Sequence, residues 1–510
     1  MKTKKYKYLL FAIAIIATTI SCSEDYLDVE PKGVFLSENY YANQDQAFAG
    51  LVAVYDVMRK NSGGFENMVT MMNAGSDDFY AGGGNSSDGA GIQAFSNYSI
   101  NPIEMPLSFW SDHYQGIYRA NILLLRLPDV PMEESLKARY TAETKALRAY
   151  YYFNLVRMFG NIPLFLEPVI SADTYNVTQA SSEAVYGQIE SDLLEAITAL
   201  PTSLDMANEA GRFTKGAAQA LLGKVYLYDN KNTLAAEQLA EVNGTPGETS
   251  QYGYKLLDDF NDLWVVDNKF NTESILEVAH TNVGLTGWGN WGSGTDEGNS
   301  INTMVGPRSY VQNTDNAPDL PSGWSFNPVL PELYDLLKSD VLQDGSNPRF
   351  EATILDLKAL KESGDADYIG GYQDTGYFLN KFTPTKAVEH TGAGDAILNY
   401  RQNSYAIRLA DTYLLEAEAL LTSNPERAQK LLDAVRSRVG LASIPVSPDA
   451  IMTERRKELA GEGHRWFDLV RTGRAAAKLA DRGYVDGKNN VFPIPYKELE
   501  NTKLVQNPNY

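Results

Sequence analysis

Pairs of helical segments recur along this chain, and a repeated helix pair commits a sequence to a stacked helical architecture, because neither pair can bury its apolar face alone. The clearest pair runs from Arg408 to Thr422 and then, after Asn424, from Pro425 to Val439. Ala410, Ala417, Ala419 and Ala428 recur in it at helical spacing, and such small side chains let two helices approach closely. Ala138 to Gly160 with Glu183 to Leu200, and Thr214 to Asp229 with Leu234 to Val242, have the same form. Upstream, Gln44 to Lys60 places Phe48, Leu51, Val52, Tyr55 and Met58 on a helical period. Trp110 to Arg126 reads as a second helix and Pro131 to Met158 contains a third; far downstream the helical pattern resumes at Tyr405 and runs to Leu421, overlapping the first pair named.

These pairs resemble degenerate tetratricopeptide-type repeats, which implies a solenoid carrying its loops on one side. Between about residues 246 and 400 the 3.6 period disappears, and short strand-like pieces such as Ser274 to Ala279 stand between loops rich in Gly, Asn, Asp and Trp. Residues 73–98 hold a glycine cluster and read as a loop. The expected fold is mostly α. It is a tetratricopeptide-like helical repeat scaffold over about 34–245 and 401–510, with a large irregular, loop-rich lobe containing short strands over about 246–400, all in a single domain from residue 22 to 510.

The N-terminus carries Lys2, Lys4, Lys5 and Lys7, then an apolar run from Leu9 to Ile20, then Cys22. That is the outline of a secretory leader, too short for a permanent membrane span. Cys22, the only cysteine, stands where a bacterial lipoprotein accepts its lipid, and 1–21 reads as the signal peptide. Without another thiol the chain has neither a disulfide framework nor a cysteine-ligated metal. Ser23 to Gly33 reads as an acidic tether, and no second run of 18 apolar residues follows. Removing the leader with its four lysines takes the net charge from −21 to −25. So acidic a surface repels phosphate backbones and excludes nucleic acid as a natural partner.

Several segments together resemble the SusD/RagB family of outer-membrane nutrient-binding lipoproteins of Bacteroidetes. They are Cys22 with Asp25-Tyr26-Leu27-Asp28, LRAYYYF from Leu147 to Phe153, FGNIPL from Phe159 to Leu164, RSRVGL from Arg436 to Leu441, and ERRKELAGEGHRWFDLVR from Glu454 to Arg471. The resemblance covers nearly the whole chain. It implies a helical scaffold with an irregular ligand-binding lobe, a lipid anchor on Cys22 at the cell surface, an oligosaccharide or polysaccharide ligand, and a TonB-dependent transporter barrel of the SusC kind as partner. It implies no enzyme activity. RagB-like members capture peptides, which gives an alternative reading; a surface glycoside hydrolase is a third. Within the last motif, Glu454, Arg455, Glu458 and Glu462 stand three or four residues apart, and Gly461 and Gly463 interrupt the helix. An ion-pair network pinning two helices accounts for this pattern better than an acid/base site does.

Sugar rings present C–H faces to flat apolar platforms, and aromatic side chains supply such area at low entropic cost. Trp288 and Trp291 are two of the six tryptophans and lie in a glycine-rich stretch with no evident core to fill, so they lead the candidate ligand-binding residues. Asn290, Gln312 and Asn313 offer hydroxyl contacts nearby in sequence, and Trp324 is a further platform candidate. Asp77, Asp78 and Tyr80, in a second loop with Phe79, combine carboxylates with rings; Tyr372 and Lys381 are weaker candidates from the lobe. Gly287, Gly289 and Gly292 match a dinucleotide fingerprint by spacing, but no helix follows to receive a pyrophosphate. The four histidines are scattered and no catalytic or metal-binding spacing occurs, so no cofactor is expected. The Asp/Asn-rich stretches 85–88 and 313–319 offer oxygen ligands for a structural calcium ion without matching a 12-residue calcium loop. A charge of −25 favours a neutral or cationic sugar, and a neutral β-glucan such as laminarin is the expected ligand.

Overall fold

Several helix starts in this chain are set by side chains that accept backbone N–H groups left unpaired at a first turn. In the computed structural model, which describes residues 40–169, 175–292 and 296–510, Asn43 accepts from Gln46 N–H to open α1 (Gln44–Tyr55) and Asn67 accepts from Thr70 N–H to open α2 (Met68–Ala74). The next helices are α3 (Ala90–Ser96), α4 (Ser108–Arg126) and α5 (Glu134–Phe159). Ser181 caps α6 (Ser182–Ala199) and Thr214 caps α7 (Lys215–Tyr228), which α8 (Asn232–Asn243) follows. Cys22, its leader and the acidic tether lie outside the described residues. No described helix is long and apolar enough to cross a membrane.

The lobe contributes β1 (Ser274–Val278), α9 (Ile301–Val305), β2 (Val311–Gln312), α10 (Pro331–Lys338), α11 (Pro348–Thr353), β3 (Ile354–Asp356), α12 (Leu357–Ser363), β4 (Ala366–Asp367) and β5 (Tyr377–Leu379). The chain then returns to the scaffold through β6 (Ser404–Arg408), α13 (Leu409–Leu420), α14 (Pro425–Arg438), α15 (Pro448–Glu458) and α16 (Arg465–Arg471). The described strands form three two-stranded antiparallel sheets, β1 with β6, β2 with β4 and β3 with β5.

The expected pairs are present: α5 packs on α6, α7 on α8 and α13 on α14, with α8 against α13 continuing the stack. Glycines permit the closest crossings. A Cβ on Gly223 of α7 would lie 2.5 Å from Leu239 of α8, and one on Gly116 of α4 would lie 2.6 Å from the Tyr151 ring on α5. Three expectations need correction. The segment 73–98 is not all loop, because α3 forms inside it, started at Gly89 in the left-handed region. Residues 405–408, expected as the start of a helix, belong to the strand Ser404–Arg408, because it pairs with β1. The helix expected to Lys60 ends at Tyr55 and tightens to a 3₁₀ turn over Asp56–Asn61.

The charged motif joins lobe to scaffold. Arg408, fully buried, reaches Glu273 at 2.8 Å, Glu458 at 2.7 Å and Glu462 at 2.8 Å. Arg349 of α11 binds Glu454 at 2.8 Å and Glu458 at 2.9 Å. Burial alone would raise the Glu458 carboxyl; Arg438, Arg408 and Arg349 outweigh it and hold it well below the usual range. Lys381, expected as a ligand contact, is buried instead and donates to Glu462 at 2.8 Å. Gly461 and Gly463, both at φ +81°, turn the chain between α15 and α16.

Candidate ligand-binding site

Three tryptophans from two separate loops meet on the lobe. The first loop is a tight turn closed by Asn290, whose Oδ1 accepts the Gly287 N–H at 2.7 Å. Asn399 clamps its entry on both sides: its Oδ1 accepts Thr286 N–H at 2.9 Å and its Nδ2 donates to Thr286 C=O at 2.8 Å. The Trp288 N–H donates to Asp395 at 3.2 Å, so segment 395–399 fixes the turn from below. Leu285, before the turn, is held at φ +54°, a region a leucine occupies only when its surroundings impose it. Trp291 is anchored by its indole N–H, which donates to Ser300 Oγ at 3.0 Å.

The second loop carries Trp324. Backbone N–H groups of Gly323, Trp324 and Ser325 donate to Pro307, Thr303 and Gly306 at 2.7, 2.9 and 2.8 Å. The crossing is so close that a Cβ on Gly323 would lie 2.4 Å from Gly306 backbone atoms. Ser325 at φ +62° and Asn327 at φ +51° add strain to the same loop, as is common where a ligand is held.

Trp288 and Trp324 lie 5.9 Å apart between ring centroids and 25° from parallel. Trp291 stands across both, at 82° to Trp288 and 75° to Trp324, with centroids 5.8 and 5.4 Å away. These are contact distances for aromatic pairs, so no sugar enters between the rings; the cluster is a corner that offers its outer faces. Trp288 is 58% exposed, a large apolar surface left open to solvent. Phe65, which no local pattern marks, backs the corner from the end of the first helical stretch, 6.0 Å from Trp291 and 6.3 Å from Trp324. Arg308 rises beside it, donating to Trp324 C=O at 3.1 Å while 38% of its side chain stays exposed, and so presents a planar donor next to an apolar face. Tyr372, 37% exposed, follows Gly371, which abuts Ser325.

The remaining candidates go elsewhere. Gln312 on β2 donates to Ala317 C=O at 2.7 Å and belongs to the β2–β4 corner. Asp77 is held by Arg465 at 2.7 Å and Asp78 by Arg456 at 2.6 Å, so the two carboxylates tie their loop to the C-terminal motif. Burial pushes the Asp78 carboxyl up despite Arg456, whereas at Asp77 the arginines Arg465 and Arg456 outweigh burial and hold it below its usual value. Tyr80 is half-buried under the Arg482 guanidinium, 5.6 Å from its ring. Among the described residues no group of His, Cys, Asp or Glu is placed to hold a metal ion.

A family model described as the SusD family matches residues 346–510, and one described as starch-binding associating with outer membrane matches 25–227. The chain is similar to a solved laminarin-binding SusD-like protein, at 66% identity and a TM-score of 0.90 over 92% of this chain and 100% of that one. It is similar to surface glycan-binding protein A of Bacteroides thetaiotaomicron, solved in complex with laminarihexaose, at 26% identity and a TM-score of 0.80 over 91% of this chain and 100% of that one. A SusD-like protein of Formosa agariphila is 25% identical over 97% of each chain.

Proposed function

This chain belongs to the SusD family, and from that premise we propose that it captures a neutral β-glucan of the laminarin kind at the corner formed by Trp288, Trp291 and Trp324. The observation that carries the reading is the corner itself: three rings in contact, braced by strained loops, with Trp288 open to solvent. A glucan chain laid over these faces would gain affinity from stacking, and Arg308 would donate to its hydroxyls. The laminarin-binding relative supports the choice of sugar.

The protein acts by binding, without catalysis. Its leader of 1–21 is removed, and residues 22–510 work as one domain held at the cell surface by lipid on Cys22. From there it delivers glycan to a TonB-dependent outer-membrane transporter. Migration in gels containing laminarin, other neutral polysaccharides or none tests the reading. Retardation by laminarin, lost in Trp288→Ala/Trp291→Ala, supports it; an unretarded wild-type protein, or unchanged retardation of the folded double variant, overturns it.

A further inference from the structure

Phe65 has two faces of use. One edge meets Trp291 and Trp324 in the corner. The same side chain lines a separate cleft of about 500 Å³ that runs past Gly89, Gly91 and Ile92, between the 102–107 loop and Pro495-Tyr496-Lys497. That volume is within the range of small-ligand sites. We infer that this cleft is an extension of the glucan site, receiving further sugar units of the chain whose first units stack on the tryptophans.

Three observations carry the inference, which rests on the β-glucan reading of the corner. The first is continuity: Phe65 is shared wall, and Gly89, at φ +71°, brings the backbone so near that an added Cβ would lie 3.0 Å from the Phe65 ring. The second is open apolar surface within the cleft. Ile103 is 82% exposed and Tyr496 is 52% exposed, on two segments joined by the Tyr496 N–H, which donates to Pro102 C=O at 2.8 Å. A flat ring and an aliphatic side chain side by side present the surface that the C–H face of a pyranose covers. The third is the polar rim. Glu66, which accepts from Ser108 at 2.7 Å, and Lys497 both line the cleft, so hydroxyls find both an acceptor and a donor. A cleft of mixed sign with an apolar floor suits a neutral polyol better than an anion.

The consequence is a dependence on chain length. Short β-1,3-gluco-oligosaccharides fill the corner alone; longer ones also fill the cleft. Titration calorimetry with laminaritriose, laminarihexaose and laminarin polymer tests this on the wild-type protein, on Tyr496→Ala/Ile103→Ser, and on Trp288→Ala/Trp291→Ala. Wild type should bind the longer ligands roughly five- to tenfold more tightly than the triose, the increment of one added stacking contact. The cleft variant should lose that gain and keep triose affinity within about twofold. Both changed side chains are exposed, so the fold is expected to survive, and circular dichroism checks it. Equal wild-type affinity for short and long ligands overturns the inference, as does a folded cleft variant that keeps the gain or loses triose binding equally. The tryptophan variant reports separately: if it binds all three like wild type, the corner reading has failed, whatever the cleft shows.

Discussion

Trp288 and Trp324 come from loops on either side of α9, yet their rings lie 5.9 Å apart and 25° from parallel, with Trp291 set across both. Neither loop positions its ring alone. Asn399 and Asp395 hold one, and the backbone of 303–307 holds the other. The corner is therefore held in place by the fold itself, and a ligand bound there would lose little entropy to side-chain ordering.

The three rings carry different loads. Trp288 is mostly solvent-exposed, so Trp288→Ala should leave the melting temperature within about a degree of wild type, as for a surface change. Trp291 is more deeply set and its indole donates to Ser300, so Trp291→Ala should cost about 2 kcal/mol and lower the melting temperature by about 2 °C in a chain of this length. Differential scanning calorimetry of the two variants checks the order; equal melting points would mean that Trp291 has no bracing role.

Breaking the buried network between lobe and scaffold should cost far more than any surface pair. Arg408→Met leaves Glu273, Glu458 and Glu462 short of their shared cation, at about 3–5 kcal/mol. Urea unfolding measures it. A loss below about 1 kcal/mol would reduce the network to the status of exposed pairs.

Acid should act on the fold through its buried histidines. Burial lowers His280 and His113 to about 4 and His464 to about 3. The His280 ring bonds Glu297 C=O through Nδ1, which must carry the proton, and accepts from Ser62 through Nε2. Folded values below the unfolded value near 6.5 mean that the unfolded chain binds more protons. Their contribution is complete above about pH 6.5 and is lost as pH falls toward 4. Melting temperature should drop across that window, less steeply in His280→Asn. An identical slope in the variant would contradict the assignment.

Two glycines should respond with opposite signs. Gly187, within α6, has open space where a Cβ would go, so Gly187→Ala should stabilise by about 0.5–1 kcal/mol through helix propensity. Gly223→Ala gains the same propensity but drives a methyl to 2.5 Å from Leu239, and overpacking of about 1–3 kcal/mol wins. Thermal melts of both variants decide it.

Cys22→Ala should leave glucan affinity in solution unchanged and release the protein from the cell surface. Immunolabelling of intact cells against culture supernatant reads this out; full surface retention would contradict a lipid anchor at Cys22.

The helix pairs were legible because their information is local: α5 to α8 and α13 to α14 follow from apolar period and small-residue spacing within each segment. The charged motif 454–471 was legible as an ion-pair network for the same reason, although its partners Arg349, Lys381 and Arg408 were not. Long-range pairing hid the rest. Residues 404–408 have a composition that suits a helix start and become strand only because β1 lies beside them. Asp77 and Asp78 looked like ligand groups because Arg456 and Arg465, which hold them, come from the far end of the chain. Trp288, Trp291 and Trp324 were visible singly, since a tryptophan among glycines has no local core. Phe65 and Arg308 carried no such signal and meet the tryptophans through contacts between loops.

The central claim is that the tryptophan corner binds a β-glucan, and calorimetric titration of laminarihexaose into wild type and Trp288→Ala/Trp324→Ala tests it most directly. Losing two stacking faces should weaken binding at least tenfold while the circular dichroism spectrum is unchanged. A folded double variant that binds laminarihexaose as tightly as wild type would contradict the account.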